Sequence, residues 1–278
     1  MSNLIKIASK EFTDLLGNGM IHIVLATFLI YIFISLHQLI GVVNDSMSMA
    51  LFINDTGIAA SHTLFYVFMT YGAFVGVMIG YQAIAKDLYN DAMNTLITKP
   101  VYRDTIINGK LISIAVFLLL LMAIVTVFYT SAMFIIFGDH FASYLSSYIG
   151  LLPITIIVPL LYIMVFASLS MLISLVINSR PLGLTSSLLF VYISTLTAST
   201  NFAGVISQMF PGNQNYIYNL IVGWSPFGIL LEIMDHTFMN DTSIIGIMDI
   251  QGDIFKLVLF AAVPILLAYT VFLRKDLS

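Results

Sequence analysis

An all-α integral membrane protein with six transmembrane helices is the fold that the sequence predicts, on three observations. Over 278 residues the mean hydropathy is +1.02, and 60% of residues are hydrophobic while only 9% are charged. Apolar runs recur that exceed the length of an ordinary globular helix, and a bilayer core of roughly 30 Å takes about 20 such residues per spanning helix. Those runs are apolar all round, whereas the strands of a transmembrane barrel would alternate lipid-facing and lumen-facing residues.

The elements follow in chain order. Residues 4–16, LIKIASKEFTDLL, place Ile5, Ala8, Phe12 and Leu15 at helical spacing, with Lys6, Lys10 and Asp14 elsewhere on the wheel. The spacing predicts a helix lying in the membrane interface and ended by Gly17-Asn18-Gly19; a solvated lead-in is the alternative. Lys6, Lys10, Glu11 and Asp14 break the basic-then-apolar pattern of a cleaved secretory signal, so the N-terminus is expected to be retained. Spans are expected at about 20–43, 62–84, 111–137, 148–177, 182–202 and 254–273 of one transmembrane domain, 1–278. Pro153 and Pro159 should kink the fourth, and Asn178 to Pro181 make a short turn into the fifth. A long mixed segment, 203–253, precedes the last.

Basic residues set the orientation, since Lys and Arg accumulate on the cytoplasmic side. With six spans both termini share one face. That face carries nine of the ten basic residues and six acids, a net +3, leaving Lys256 and eight acids, a net −7, on the other. Both termini are therefore expected in the cytoplasm, in a multi-pass protein of the cell membrane.

Several chemistries are excluded or disfavoured. There is no cysteine, which removes disulfides, thiolate catalysis and cysteine-based metal sites. No GxxxxGK[ST], GxSxG or HExxH occurs, so ATP is not bound here through a P-loop and two common hydrolase classes lack their signature. No Asp, Glu, Lys or Arg falls near the middle of a span, whereas a carrier driven by an ion gradient normally needs such a group. Energy for any transport is therefore expected from outside the bilayer. His22, His37, His62, His140 and His236 sit at span ends or in outer segments. Glu232, Asp235 and His236 can share a helical face, but a third and fourth metal ligand are not apparent, so a solvated surface is expected. Asn54-Asp55-Thr56 and Asn240-Asp241-Thr242 fit the short glycosylation acceptor pattern. Gly72, Gly76 and Gly80 form a doubled GxxxG that lets another helix approach closely, in the same chain or in a second copy.

The charges concentrate in KDLYNDAMNTLITKPVYRDTIINGK, Lys86 to Lys110, with four of the ten basic residues. Tyr81, Ala85, Leu88, Ala92 and Leu96 recur every three or four residues among polar ones, so the second helix is expected to continue past the membrane as an amphipathic cytosolic helix. Lys99 precedes Pro100 and is biased away from helix, and Asp104 or Thr105 can cap the third helix. A solubilising loop would satisfy the charge bias alone, yet the other inner turn, around Arg180, manages with few polar residues. A docking surface explains the extra length.

On these residues the chain resembles the permeases of ABC-2 type ATP-binding cassette transporters, whose second and third spans are joined by a "TL…L…PVSR…I…GK" pattern. The matching positions are Thr95, Leu96, Ile97, Pro100, Val101, Arg103, Ile106, Gly109 and Lys110; Asp87 stands where the family commonly has a Glu-rich run, and Tyr102 replaces a small residue. Ser168 to Phe190 resembles the family's fourth-to-fifth hairpin, and Trp224-Ser225-Pro226-Phe227 its "SPF" element. The resemblance implies a transmembrane subunit without its own nucleotide site, paired with a second permease chain, as homo- or heterodimer, and with cytosolic ATPase subunits holding the ATP and Mg. It implies that the helix of about Tyr81 to Thr98 is a coupling helix, and that short helices dip toward the membrane between spans five and six. The expected docking and coupling residues are Lys86, Asp87, Asn90, Asp91, Thr95, Leu96, Pro100 and Arg103, with Arg103 and Lys110 holding the hairpin against the interface or lipid phosphates. Membrane lipid is an expected partner and nucleic acid is not; no metal or cofactor is expected in the chain itself. The competing function is an intramembrane enzyme acting on lipids through His37, His62 or His140; an ion-gradient carrier is a third.

Overall fold

The computed structural model of the chain describes residues 2–44, 55–89, 103–177, 179–238 and 244–274. Eleven helices lie among the described residues: α1 (Ser2–Leu16), α2 (Gly19–Asn44), α3 (Thr56–Tyr89), α4 (Arg103–Phe137), α5 (Asp139–Ser143), α6 (Leu145–Val176), α7 (Arg180–Ala198), α8 (Thr200–Gln208), α9 (Gln214–Gly223), α10 (Pro226–Phe238) and α11 (Ile244–Arg274). The protein is all-α and multi-pass. By length and composition α3, α4, α6, α7 and α11 each suffice to cross a membrane; among the described residues α2 adds an apolar stretch, His22–His37, and α9 and α10 form a pair bent by 97°. Reaching six therefore depends on α2 or on that bent pair.

Some boundaries differ from the sequence expectation, for local reasons. α3 runs from Thr56 to Tyr89, so it starts earlier than the expected span, while its continuation from Tyr81 as far as Tyr89 is the one the sequence predicts. α4 begins at Arg103, which puts Asp104 and Thr105 inside its first turn rather than at its cap. α6 carries Pro153 and Pro159 inside one helix. At the end of α7 the chain breaks at Ser199, whose hydroxyl accepts from the Phe202 amide and caps α8, where the sequence placed an uninterrupted span. α11 starts ten residues before its apolar core, because Ile244 to Asp253 keep helical spacing even though they include two acids.

α6 is the central post, with α3, α7 and α11 packed against it. Its junction with α3 is the most extensive helix contact among the described residues. A Cβ built at Gly72 would lie 2.6 Å from the Ile163 Cδ1, one at Gly76 2.5 Å from the Ile163 carbonyl oxygen, and one at Gly80 2.1 Å from the Ala167 carbonyl oxygen. The glycine stripe thus faces another helix of the same chain, and backbone approach replaces the hydrophobic driving force that helices lack in lipid. Between these contacts the Ser170 hydroxyl donates to the Val77 carbonyl at 2.9 Å, a cross-helix bond with both partners buried.

α2 is held on by aromatic and hydroxyl contacts. Tyr31 stacks on Tyr71 with centroids 5.8 Å apart, Phe28 packs on Phe68 and Tyr71, the Thr70 hydroxyl donates to the Tyr31 hydroxyl at 2.9 Å, and Thr27 shares a hydrogen bond with Tyr71. These hydroxyls are polar adhesive within a bundle whose spans carry no charge at their centres.

The turn before α10 is fixed twice to α7. The Ser225 hydroxyl donates to the Ser194 carbonyl at 2.8 Å and accepts from the Gly228 amide at 3.3 Å; the Phe227 amide donates to the Ser194 hydroxyl at 3.1 Å. Ser225 is the N-cap and Pro226 the first residue of α10, the order that helix starts favour. Ser225→Ala is expected to destabilise the protein by about 1–2 kcal/mol, since it removes a cap and a buried bond together. Thermal unfolding in detergent checks this, with Thr185→Ala, an exposed helical hydroxyl on the same helix as Ser194, as the near-neutral comparison.

Candidate functional site: the junction at the foot of α3

Four helices converge where α3 leaves the bundle. α1 lies along α4. Its packed stripe is Leu4, Ile7, Ala8, Glu11, Phe12 and Leu15, all buried or half-buried, while Ile5 is 66% exposed. Of the apolar face expected from the sequence, Ala8, Phe12 and Leu15 are packed and Ile5 is not, while the acid Glu11 joins the packed side. Ile7 seats on Gly109, where a Cβ would come within 2.7 Å of its Cγ2, and the Phe12 ring meets Phe117 edge-on at 6.3 Å. Glycine at 109 is therefore what lets α1 reach α4.

The residue after that glycine is the centre of the site. Lys110 is 2% exposed, and its Nζ donates to Glu11 Oε2 at 2.9 Å and to the Ala83 carbonyl at 2.8 Å. One ammonium thus ties α1 to α4 by an ion pair and both to α3 by a charge-assisted bond. The expectation that Lys110 reaches lipid phosphates is overturned: its side chain turns inward, because a buried carboxylate and a helix carbonyl together solvate the ammonium better than the apolar wall around it. α7 completes the junction, with a Cβ at Gly183 falling 3.3 Å from the Tyr81 ring. Tyr81 and Ala83, two residues apart on α3, therefore meet α7 and α4 respectively.

Lys86 and Asp87 lie just beyond, in the last turn of α3, and Arg103 is the first residue of α4. Asn90, Asp91, Thr95, Leu96 and Pro100 lie outside the described residues, as does the proposed turn at Lys99. The junction brings together Lys110 with Glu11, and the sequence reading singled out neither pairing. A signal existed: Glu11 is one of two glutamates in the chain, and Lys110 immediately precedes a long apolar run. Reading them together required knowing that α1 folds back along α4.

Elsewhere the chemistry-bearing side chains are dispersed. His22 Nδ1 faces the Asn18 carbonyl at 3.0 Å, His62 meets Phe238 edge-on, and His140 meets Tyr144 in the same manner. Glu232 and Asp235 are exposed, and no group of three His, Cys, Asp or Glu placed to hold a metal occurs among the described residues. What the junction does structurally is make one buried ammonium a common contact of α1, α3 and α4.

A family model described as an ABC-2 family transporter protein matches residues 5–277. No curated protein matches the chain.

Proposed function

From the premise that the chain belongs to the ABC-2 transporter family, and is thus a membrane-spanning permease subunit of an ATP-binding cassette transporter, we propose that the foot of α3 receives the movement of a separate ATPase subunit and distributes it through Lys110. In this reading the ATPase hydrolyses ATP with Mg and grips the segment from Lys86 to Pro100. The termini are cytoplasmic, a second permease chain completes the pathway, and the substrate moves outward. The observation that carries the reading is the three-way bond of Lys110 to Glu11 and Ala83. It makes the end of α3 mechanically continuous with α1 and α4, which is what a helix serving as an input lever requires.

Charge supports the docking half. Lys86 and Asp87 lie in the last turn of α3, and Asp91 follows four residues after Asp87 in the sequence. Reversing Asp87 and Asp91 together to Lys is expected to reduce co-purification of the ATPase subunit at least tenfold, as loss of two interfacial charge pairs warrants. Quantitative recovery on a tagged permease reads it, and unchanged recovery removes these residues from the interface.

A further inference from the structure

Lys256 has no part in the junction, and it is the one basic residue that the charge pattern places on the face away from the termini. It lies eighteen residues before Arg274 on the same helix, α11, a rise of about 27 Å. That nearly equals the roughly 30 Å of a hydrocarbon core, so a bilayer with Arg274 at one interface brings Lys256 within reach of the headgroups at the other. Beside it opens a cavity of about 570 Å³. α7 and α11 both pack on α6 and leave this groove between them, with Phe166 on its floor and Phe190, Ile193, Leu259 and Val263 on its walls. The bent α9–α10 turn, with Trp224, covers the end beside Lys256.

Groove and cation together have a direction. From Lys256 to Pro264, the deepest α11 residue lining it, the groove descends about 12 Å into the hydrocarbon region. Its hydroxyls are already used: those of Ser194 and Ser225 bond within the α7–α10 turn. The walls therefore suit a chain without polar atoms. The Lys256 ammonium donates to Asp253 Oδ1 at 2.6 Å, which occupies one of its three protons. We propose that this groove binds one glycerophospholipid of the leaflet facing away from the termini, with an acyl chain between α7 and α11 and the phosphate on Lys256. The size is that of a small-molecule pocket, roughly 300–1,000 Å³, and a phosphate held by Lys256 would distinguish a bound lipid from the passing ones. The inference rests on membrane insertion alone and is independent of coupling at the foot of α3.

Trp224 is the single tryptophan of the chain and lines the groove, so its fluorescence reports occupancy. The full chain would be reconstituted in vesicles of digalactosyldiacylglycerol, a phosphate-free bilayer lipid, doped with acyl-brominated phosphatidylglycerol, phosphatidylcholine or digalactosyldiacylglycerol. Both brominated phospholipids are expected to quench at mole fractions about fivefold lower than the brominated glycolipid. Lys256→Gln should erase that preference, Lys256→Arg should keep it, and Val263→Phe should weaken it by filling the groove. Trp224 is 60% exposed and meets ordinary surrounding lipid as well. Equal quenching by all three lipids therefore means unselective contact and overturns the proposal. So does a preference surviving Lys256→Gln, which would leave Lys256 a lysine merely reaching the interface, or one unaffected by Val263→Phe, which would put the chain elsewhere.

Discussion

Gly80→Ala is expected to destabilise the bundle by about 3 kcal/mol, the upper end of the usual range for overpacking. The added methyl would stand 2.1 Å from the Ala167 oxygen, 2.7 Å from its carbonyl carbon and 2.8 Å from its Cα, so only a shift of α6 itself relieves it. A graded series follows. At Gly76 the methyl meets the Ile163 oxygen at 2.5 Å, its Cγ2 at 3.1 Å and the Ala167 nitrogen at an ordinary 3.4 Å. At Gly72 it meets only the outer atoms of the Ile163 side chain, which can rotate away, and the cost should fall to about 1 kcal/mol. Unfolding in detergent, by heat or denaturant, should rank the three variants in that order. Equal effects at all three positions would show that α3 and α6 are not held by backbone approach.

Lys110→Met is expected to cost about 3 kcal/mol, because it strands the Glu11 carboxylate, 16% exposed, in a packed helix interface and removes a donor to the Ala83 carbonyl. Glu11→Gln keeps an acceptor for the ammonium but withdraws its counter-charge, and a cation 2% exposed cannot recover that from water. The double variant should cost less than the two single losses combined, with a coupling energy of about 1–3 kcal/mol. A double-mutant cycle on thermal or denaturant unfolding measures it. Strict additivity would mean that the two side chains do not act on each other despite their 2.9 Å separation.

Composition and periodicity made most of the fold legible. The apolar runs foretold all-helical spans, and Gly72, Gly76 and Gly80 foretold a close helix contact, because both signals are local and repeat at a fixed spacing. Partner identity was not local: the sequence left open whether the glycines face this chain or another, and only the position of Ile163 and Ala167 on α6 supplies the answer. The junction was less legible still. Its three parts, Glu11, Ala83 and Lys110, are far apart in sequence, and one of them is a backbone carbonyl, which no residue type announces. A lysine at a helix end defaults to a solvated or lipid-facing reading, and burial reversed that only because a carboxylate arrives from α1. The α7–α8 break at Ser199 was hidden for the opposite reason: hydrophobicity continues across it, while a single capping hydroxyl ends one helix and starts the next.

The chain contains no cysteine, so spin labels can be placed without removing any native thiol. Labels at Ser9→Cys on α1 and Leu182→Cys at the foot of α7, both exposed positions, bracket the junction. Their separation should be measured by pulsed electron spin resonance in the reconstituted complex, with and without a non-hydrolysable ATP analogue. If the foot of α3 drives α1 through Lys110, nucleotide shifts the distance distribution in the otherwise native protein, and Lys110→Met abolishes the shift while the ATPase subunit stays bound. An identical shift in Lys110→Met would contradict the account, since α1 would then be moved by another route.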